Sequence, residues 1–234
     1  VCTQAGNVNT GSFDPIERIC AEARNDGAWV HVDGAFGLWA AASSRYRHLT
    51  AGISQADSWA TDAHKWLNVP QDCGIALVRY EASLKSAMSV NAPYLVPGGR
   101  RDPAQYGPEL SRRARGIELW AALRHLGRDG VSDLIDSTCA HAQWLAEQLR
   151  LAGFDVLNDV VLNQVLVALG DEDLTARTIE RIQTDGECWM GGTVWRGLPA
   201  LRVSVSGWAT TRTDMERALA AIVAARQACR GDGP

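Results

Sequence analysis

Two short segments of the sequence end in residues that could do acid–base or nucleophilic chemistry. Asp33 follows the apolar run in GAWVHVDGAFG, and His64 and Lys65 follow the run in ADSWATDAHKWLNVPQDCG. Both runs are typical of strand interiors, and ligands of open α/β sheets bind outside the carboxyl ends of the strands. We therefore expect these side chains to face one pocket.

Asp33 and Lys65 together predict chemistry on a flat, electron-poor ring. A buried carboxylate needs a cationic or donor partner, which a protonated ring nitrogen would supply. Gly34 and Ala35 keep the neighbouring side chains small, so a ring could lie against the backbone. A lysine that is desolvated or near another cation becomes a nucleophile. Such an acid and lysine are what a pyridoxal 5′-phosphate site requires, with the lysine bound covalently and the ring acting as an electron sink.

Each of these residues also has a purely structural interpretation. Asp33 could cap a helix or a turn, Lys65 could be a solvated lysine, and His64 could be a structural histidine with satisfied hydrogen bonds. Spacing alone leaves both interpretations open.

Composition and charge argue against several other classes of function. The chain has 234 residues, of which 46% are hydrophobic and 21% charged, as in soluble globular proteins. The net charge of −4, without a block of like charges, gives no reason to expect a nucleic acid or an acidic membrane as partner. No apolar run is long enough to span a bilayer. The six scattered cysteines lack a CxxC pair, so we expect no metal site and reduced thiols in a cytoplasm.

The first part of the chain alternates short strands and helical segments. Strands are predicted at about 29–33, 57–61 and 74–79. A helix is predicted over 15–26, with Asp14 at its N-cap and Pro15 at its first position. Strands separated by helices favour parallel pairing in an α/β layer. The segment from Asn91 to Glu109 is rich in proline and glycine and predicts a functional loop or lid.

The second part predicts a small α+β unit. One helix should end at Gly127 and a second at Gly153. Strands are predicted at 154–158, 163–170, 187–192 and 200–206. Further helices are expected at about 173–185 and around Met215 to Val223. Helices on one face of a mostly antiparallel sheet would form this unit.

The sequences of the two segments resemble those of the group II pyridoxal-dependent amino acid decarboxylases, which have the aspartate aminotransferase fold (fold type I). HVDGAFG followed by DAHKWLNVPQDCG is similar to the family's His-Val-Asp-Ala-Ala and Asn-Pro-His-Lys patterns. The likeness continues in AGNVNTGSFDPI, SRRARGIELWAALRHLG and LRVSVSGWATT, and so covers nearly the whole chain. Asp62 and Ala63 stand where the family usually has asparagine and proline.

The resemblance implies an α/β fold class. Residues 1–109 would be the C-terminal part of the fold type I large domain, with a mostly parallel sheet and the long active-site loop. Residues 110–234 would be the small α+β C-terminal domain. The sequence starts at Val1 without a methionine. We interpret it as a fragment without the N-terminal half that carries the family's phosphate-binding turn and ring-stacking residue; a processed N-terminus is the alternative.

The resemblance also assigns cofactor-binding roles. Lys65 is similar to the lysine that forms the Schiff base, and Asp33 to the partner of the pyridinium nitrogen. Ala35 would pack on one ring face. His64 would lie beside the phosphate or the Schiff base, and Asn7 would contact the ring hydroxyl or the aldimine.

Two further roles concern the substrate. Arg202 in LRVSV would hold the α-carboxylate, a task that suits a bidentate guanidinium; an exposed strand arginine is the alternative. In this family a tyrosine of the long loop protonates the substrate carbon after CO2 leaves. Tyr106 is the first candidate for this tyrosine and Tyr94 the second.

The activity that the resemblance implies is decarboxylation of an L-amino acid to an amine and CO2 in a cytoplasmic homodimer. Two alternatives stay open. One is another fold type I enzyme, such as an aminotransferase or a carbon–sulfur lyase, and the other is a non-catalytic module. The His-Lys segment and the loop rich in glycine and proline favour the decarboxylase.

Overall fold

In a computed structural model, which describes residues 1–90 and 99–231, two four-stranded sheets organise the chain. Among these residues the strands are Cys2–Gln4 (β1), His31–Asp33 (β2), Ser58–Asp62 (β3), Gly74–Val78 (β4), Asp155–Val156 (β5), Gln164–Ala168 (β6), Gly191–Trp195 (β7) and Leu198–Ser204 (β8). The α-helices in the same part of the chain are Ile16–Asn25 (α1), Glu81–Met88 (α2), Gly116–Leu151 (α3), Glu172–Asp185 (α4) and Arg212–Gly231 (α5).

The first sheet has the order β1-β2-β3-β4. Strands β1, β2 and β3 pair in parallel, as predicted, and Asp33 lies opposite Gln4 and Ala60. Strand β4 is antiparallel to β3. The segment that joins these two strands contains Lys65 and no crossover helix, and a parallel pair would need such a crossover. The mostly parallel α/β layer is thus confirmed, with one antiparallel edge strand.

The start of α1 differs from the prediction. The helix begins at Ile16, and Pro15 occupies the cap position without a side-chain hydrogen bond. Asp14 was predicted to be the N-cap, and this is wrong because its carboxylate bonds elsewhere. It accepts hydrogen bonds from the Thr3 hydroxyl (3.1 Å) and the Gln4 backbone N–H (2.7 Å). Asp14 therefore fixes the end of β1 and not the start of the helix.

The predicted boundary between two helices at Gly127 is confirmed as a break inside the element α3. The backbone there has φ 64° and ψ −170°, which is not helical, so the element changes direction at this residue. Just after the bend, α3 packs against the first sheet's core through Val131 and Ile135. Further along it packs against the second sheet through Leu145 and Leu149. The helix joins both cores, and the division at 109/110 stays a prediction.

The second sheet has the order β5-β6-β8-β7, and each pair is antiparallel, which confirms the predicted α+β arrangement. Helices α3, α4 and α5 cover the face that contains Val165 and Val203. The strand predicted at 187–192 begins only at Gly191. Residues 187–190 of the predicted strand instead precede β7, and Met190 packs into the core there.

Other general features concern membranes, metals and thiols. Within residues 1–90 and 99–231, no helix is both long and apolar enough to cross a bilayer. In the same part of the chain, no three His, Cys, Asp or Glu side chains form a group that could hold a metal ion. All six cysteines are free thiols.

Candidate active site

A cleft of about 560 Å³ lies where the segment after β3 meets β6 and β8. Three residues singled out in the sequence, His64, Lys65 and Arg202, line it together with Val8. The first two lie in the turn after β3 of the first sheet, and Arg202 lies in β8 of the second. The cleft thus brings a primary amine, an imidazole and a guanidinium together from distant parts of the chain.

A short turn after β3 presents Lys65 to the cleft. The Asn68 backbone N–H donates to the Lys65 carbonyl (3.3 Å), and Asn68 has a left-handed φ of 56°. Trp66 is fully buried, and its Nε1–H donates to the Thr138 hydroxyl of α3 (2.9 Å). Anchoring Trp66 in the core fixes the turn, so the neighbouring Lys65 side chain starts from a defined position.

Two titratable groups of the core behind this turn are neutral at pH 7. Tyr46 and Cys139 lie in the same hydrophobic cluster as Trp66. Burial raises the pKa of Tyr46 to about 12 and the pKa of Cys139 to about 12, so both groups keep their protons.

A path of polar contacts links Lys65 to Asp33. The Lys65 Nζ lies 2.8 Å from the Asp62 Oδ2. The Asp62 backbone N–H donates to the Ala35 carbonyl (2.8 Å). The Ala35 N–H in turn donates to the Asp33 carboxylate (3.1 Å). The acid and the amine that the sequence predicts to act on one ring are thus at the two ends of a short connected segment.

Asp33 is exposed, which corrects the expectation that its carboxylate is buried. Strand β2 ends at Asp33 and the chain turns away through Gly34, whose N–H donates to the Ala60 carbonyl (2.9 Å). No described element covers the carboxylate. Among the described residues, its hydrogen bond is the one from the Ala35 N–H, and neither Asp33 nor Ala35 lines the cleft.

The cleft contains buried polar atoms without a partner. His64 Nδ1 and Arg202 Nε have no hydrogen bond within residues 1–90 and 99–231. Arg202 Nη1 donates to the Val8 carbonyl (3.2 Å). A buried polar atom without a partner costs about 1–3 kcal/mol, which a bound ligand would offset. The residues present therefore fit an anionic ligand such as a phosphate or a carboxylate.

Asn7 has a different set of contacts from the one expected. Its side-chain oxygen accepts from the backbone N–H groups of Asn9 (3.0 Å) and Thr10 (3.2 Å), and its amide donates to Gln4 (2.9 Å). Asn7 therefore holds the turn that brings the next residue, Val8, to the cleft. A contact of Asn7 with a cofactor stays a prediction.

Tyr106 does not line the cleft. It lines a second groove, where its hydroxyl donates to Glu81 and the guanidinium carbon of Arg101 lies 4.1 Å from its ring centroid. This hydrogen bond lowers the pKa of Glu81. Tyr94 and the adjacent part of the predicted lid lie outside the described residues.

Several polar side chains of the cleft were not predicted from the sequence. These residues are Asn68, Asn163, Gln164, Ser204 and Ser206. The signal for Ser204 and Ser206 was present, because alternate residues of a strand face the same side and Arg202 lies two positions earlier. Gln164 of β6 lies opposite Ser204 of β8, and the Ser204 hydroxyl donates to the Gln164 side-chain oxygen (2.6 Å). Finding Gln164 required knowing the strand register.

Comparison with known proteins identifies the family. Residues 1–169 match the pyridoxal-dependent decarboxylase conserved domain, and the chain belongs to this family. The resemblance stated from the sequence is therefore confirmed. Because the match contains the turn that carries Lys65, the region that defines the family is also the region that builds one wall of the cleft.

Individual relatives agree with this assignment. L-tyrosine/L-DOPA decarboxylase 2 of Lophophora williamsii is 31% identical over 67% of this chain and 31% of its own. Phenylacetaldehyde synthase of Petunia hybrida is 29% identical over 88% of this chain and 45% of its own. The chain thus spans less than half of the length of either relative.

A solved structure confirms the fold. The structure of Oryza sativa TDC with PLP and tryptamine matches 97% of this chain and 50% of its own, with a TM-score of 0.89 at 24% identity. The predicted fold class, part of the α/β fold of these decarboxylases, is therefore confirmed.

Proposed function

We propose that this chain is part of an enzyme that uses pyridoxal 5′-phosphate to decarboxylate an L-amino acid to an amine and CO2. The observation that carries the proposal is the cleft in which the Lys65 amine and the Arg202 guanidinium meet. The buried, unpaired Arg202 Nε and His64 Nδ1 support a ligand with anionic groups. Membership of the pyridoxal-dependent decarboxylase family supports the type of reaction.

Each residue has a stated task in this proposal. Lys65 would bind the cofactor covalently, and Asp33 would hold a proton on its ring nitrogen. Ala35 would lie against one ring face, and the His64 Nδ1, which is buried without a partner, would hydrogen-bond to the cofactor. When bound, the cofactor supplies an electron sink for the electron pair that remains after CO2 leaves. Arg202 would bind the α-carboxylate through two parallel, charge-assisted hydrogen bonds. It would thereby orient the bond between the carboxylate and the α-carbon, which breaks in the reaction.

Covalent labelling tests the proposal directly. The sequence has two lysines, Lys65 and Lys85. Incubation of the protein with pyridoxal phosphate should give visible absorbance, and borohydride should then fix the label covalently. Peptide mapping should find the label on Lys65. A label on Lys85, or none in the protein that carries this chain, would contradict the proposed site.

Arg202→Lys should raise KM for the amino acid by about tenfold to a hundredfold, because lysine keeps the charge and loses the planar fork that binds a carboxylate with two hydrogen bonds. Arg196→Lys, in the β7–β8 turn, is the matched control and should leave KM unchanged. Steady-state kinetics of both variants would check this. An unchanged KM for Arg202→Lys would indicate that Arg202 is a structural strand arginine and does not bind the substrate.

Tyr106→Phe should raise the ratio of aldehyde to amine if Tyr106 is the proton donor. A substrate carbon that is not protonated after loss of CO2 can instead be oxidised by dissolved O2, which takes up two electrons and two protons to give hydrogen peroxide, and hydrolysis of the resulting imine then releases aldehyde and ammonia. Tyr106 bonds to Glu81 outside the cleft, so this role requires the loop to close over the site. Tyr94→Phe is tested in parallel. An unchanged ratio in both variants would remove tyrosine from the mechanism and leave His64 or another residue as the donor.

Product analysis separates the decarboxylase from its alternatives. CO2 with an amine supports the proposal, whereas a keto acid indicates an aminotransferase or a carbon–sulfur lyase. Aldehyde with CO2 is a second candidate outcome, which the similarity to a phenylacetaldehyde synthase favours. A chain that binds no cofactor in the labelling experiment would be a non-catalytic module.

We also propose that the whole protein is a cytoplasmic homodimer. Six free cysteines are typical of a reducing compartment. The first turns of α3 expose Ile117 and Trp120, which are 66% and 67% accessible. Exposed apolar side chains of this size on one helix support contact with a second chain.

A further inference from the structure

The ion pair between Lys65 and Asp62 has a fixed acidic partner. The Lys65 Nζ lies 2.8 Å from the Asp62 Oδ2, and the side chains are 46% and 25% exposed. The Asp62 N–H donates to the Ala35 carbonyl (2.8 Å), and the Asp62 carbonyl accepts from the Trp39 Nε1–H (3.2 Å). Hydrogen bonds on both sides of its backbone hold Asp62 at the end of β3, so its carboxylate has a defined position beside the cleft.

The surroundings leave room for this carboxylate. Gly74 is the residue opposite Asp62 in β4. A Cβ atom at this position would lie 3.5 Å from the Asp62 Oδ1, which is ordinary van der Waals contact. The charged groups that line the cleft beside Lys65 are the Arg202 guanidinium and, when protonated, His64. Both would repel the Lys65 ammonium, so Asp62 is the group that attracts it to this wall.

We propose that Asp62 is a positioning residue for Lys65. Its carboxylate holds the ε-ammonium group at the wall of the cleft whenever the amine is not covalently attached to a cofactor. The inference rests on the proposed function, because it concerns the amine assigned to the cofactor. An amide at this position would lack the charge that holds an ammonium group in this way.

Competitive amine labelling of the cofactor-free, 234-residue chain tests this inference. An amine in an ion pair must leave its partner before its nitrogen can form a bond. With an acetylating reagent at fixed pH and low salt, Lys65 in Asp62→Asn should therefore react about twofold to fivefold faster than in the unchanged chain. Mass spectrometry of the Lys65 and Lys85 peptides measures both rates in one sample, and the Lys85 rate should not change.

Lys85 offers a matched control, because it forms the same type of pair with Glu81 at 3.0 Å. Glu81→Gln should increase the labelling of Lys85 and leave Lys65 unchanged. Asp62→Glu retains the negative charge and should keep the labelling rate of Lys65 low. High salt should speed Lys65 labelling in the unchanged chain and not in Asp62→Asn, because salt screens the ion pair. A change in local packing alone would not give this salt dependence.

Equal Lys65 rates in the unchanged chain and in Asp62→Asn would overturn the inference. Circular dichroism first establishes that each variant is folded. If Asp62→Asn is not folded, the salt dependence of the unchanged chain decides, and a Lys65 rate that salt does not alter overturns the inference. The labelling needs no cofactor. A failure of Asp62 to hold the amine is therefore distinguishable from a failure of Lys65 to bind pyridoxal phosphate.

Discussion

The Lys65→Arg variant is expected to decarboxylate its amino acid substrate at least about a thousandfold more slowly, a loss of about 4 kcal/mol of transition-state stabilisation. Arginine keeps the positive charge and can keep the contact with Asp62 that Lys65 makes at 2.8 Å. The guanidinium remains protonated and does not act as the nucleophilic amine. The variant thus removes the covalent chemistry while it preserves the charge. Release of CO2 and amine measures the effect.

Lys85→Arg is the control for this prediction. Lys85 is the other lysine of the sequence and lies on α2, outside the cleft. Its replacement should leave both turnover and borohydride labelling intact. If Lys65→Arg retained normal turnover and Lys85→Arg did not, the assignment of the two lysines would be reversed.

Local sequence signals predicted much of this site because the site uses strand ends. Lys65 follows a run that forms β3, and Arg202 lies in the predicted last strand. Strand runs of this kind can be found from apolar residues and flanking turns alone. The family resemblance then supplied the roles. The meeting of both residues in one cleft did not follow from local patterns, because it depends on how the two sheets pack.

Contacts between distant residues explain most of what was missed. The Asn68 amide donates to the Ser206 carbonyl (2.7 Å), which joins the lysine turn to the segment after β8. Neither residue has a local pattern that signals this contact. At Asp14 a local pattern is present and misleads. Its position before Pro15 predicts a helix cap, but its carboxylate accepts a hydrogen bond from β1 instead. Tertiary contacts thus override local preference at both positions.

Because Asp33 is exposed, its role in the reaction needs a direct test. The Asp33→Asn variant is expected to lower decarboxylation by about a thousandfold, which corresponds to about 4 kcal/mol. Asparagine has nearly the same shape, and its oxygen can still accept the hydrogen bond from the Ala35 N–H that Asp33 accepts at 3.1 Å. The turn after β2 is therefore preserved, and the negative charge that would hold a proton on the ring nitrogen is lost.

Three measurements separate this role from a structural one. Turnover of Asp33→Asn should fall, whereas borohydride labelling of Lys65 should persist, because the amine is unchanged. The thermal unfolding midpoint should also stay close to that of the unchanged protein, because Asp33 is exposed. Asp26→Asn, at another exposed aspartate after α1, should retain normal turnover. Near-normal turnover of Asp33→Asn would show that the reaction does not use the charge of Asp33. The residue would then only cap the turn through its hydrogen bond from Ala35.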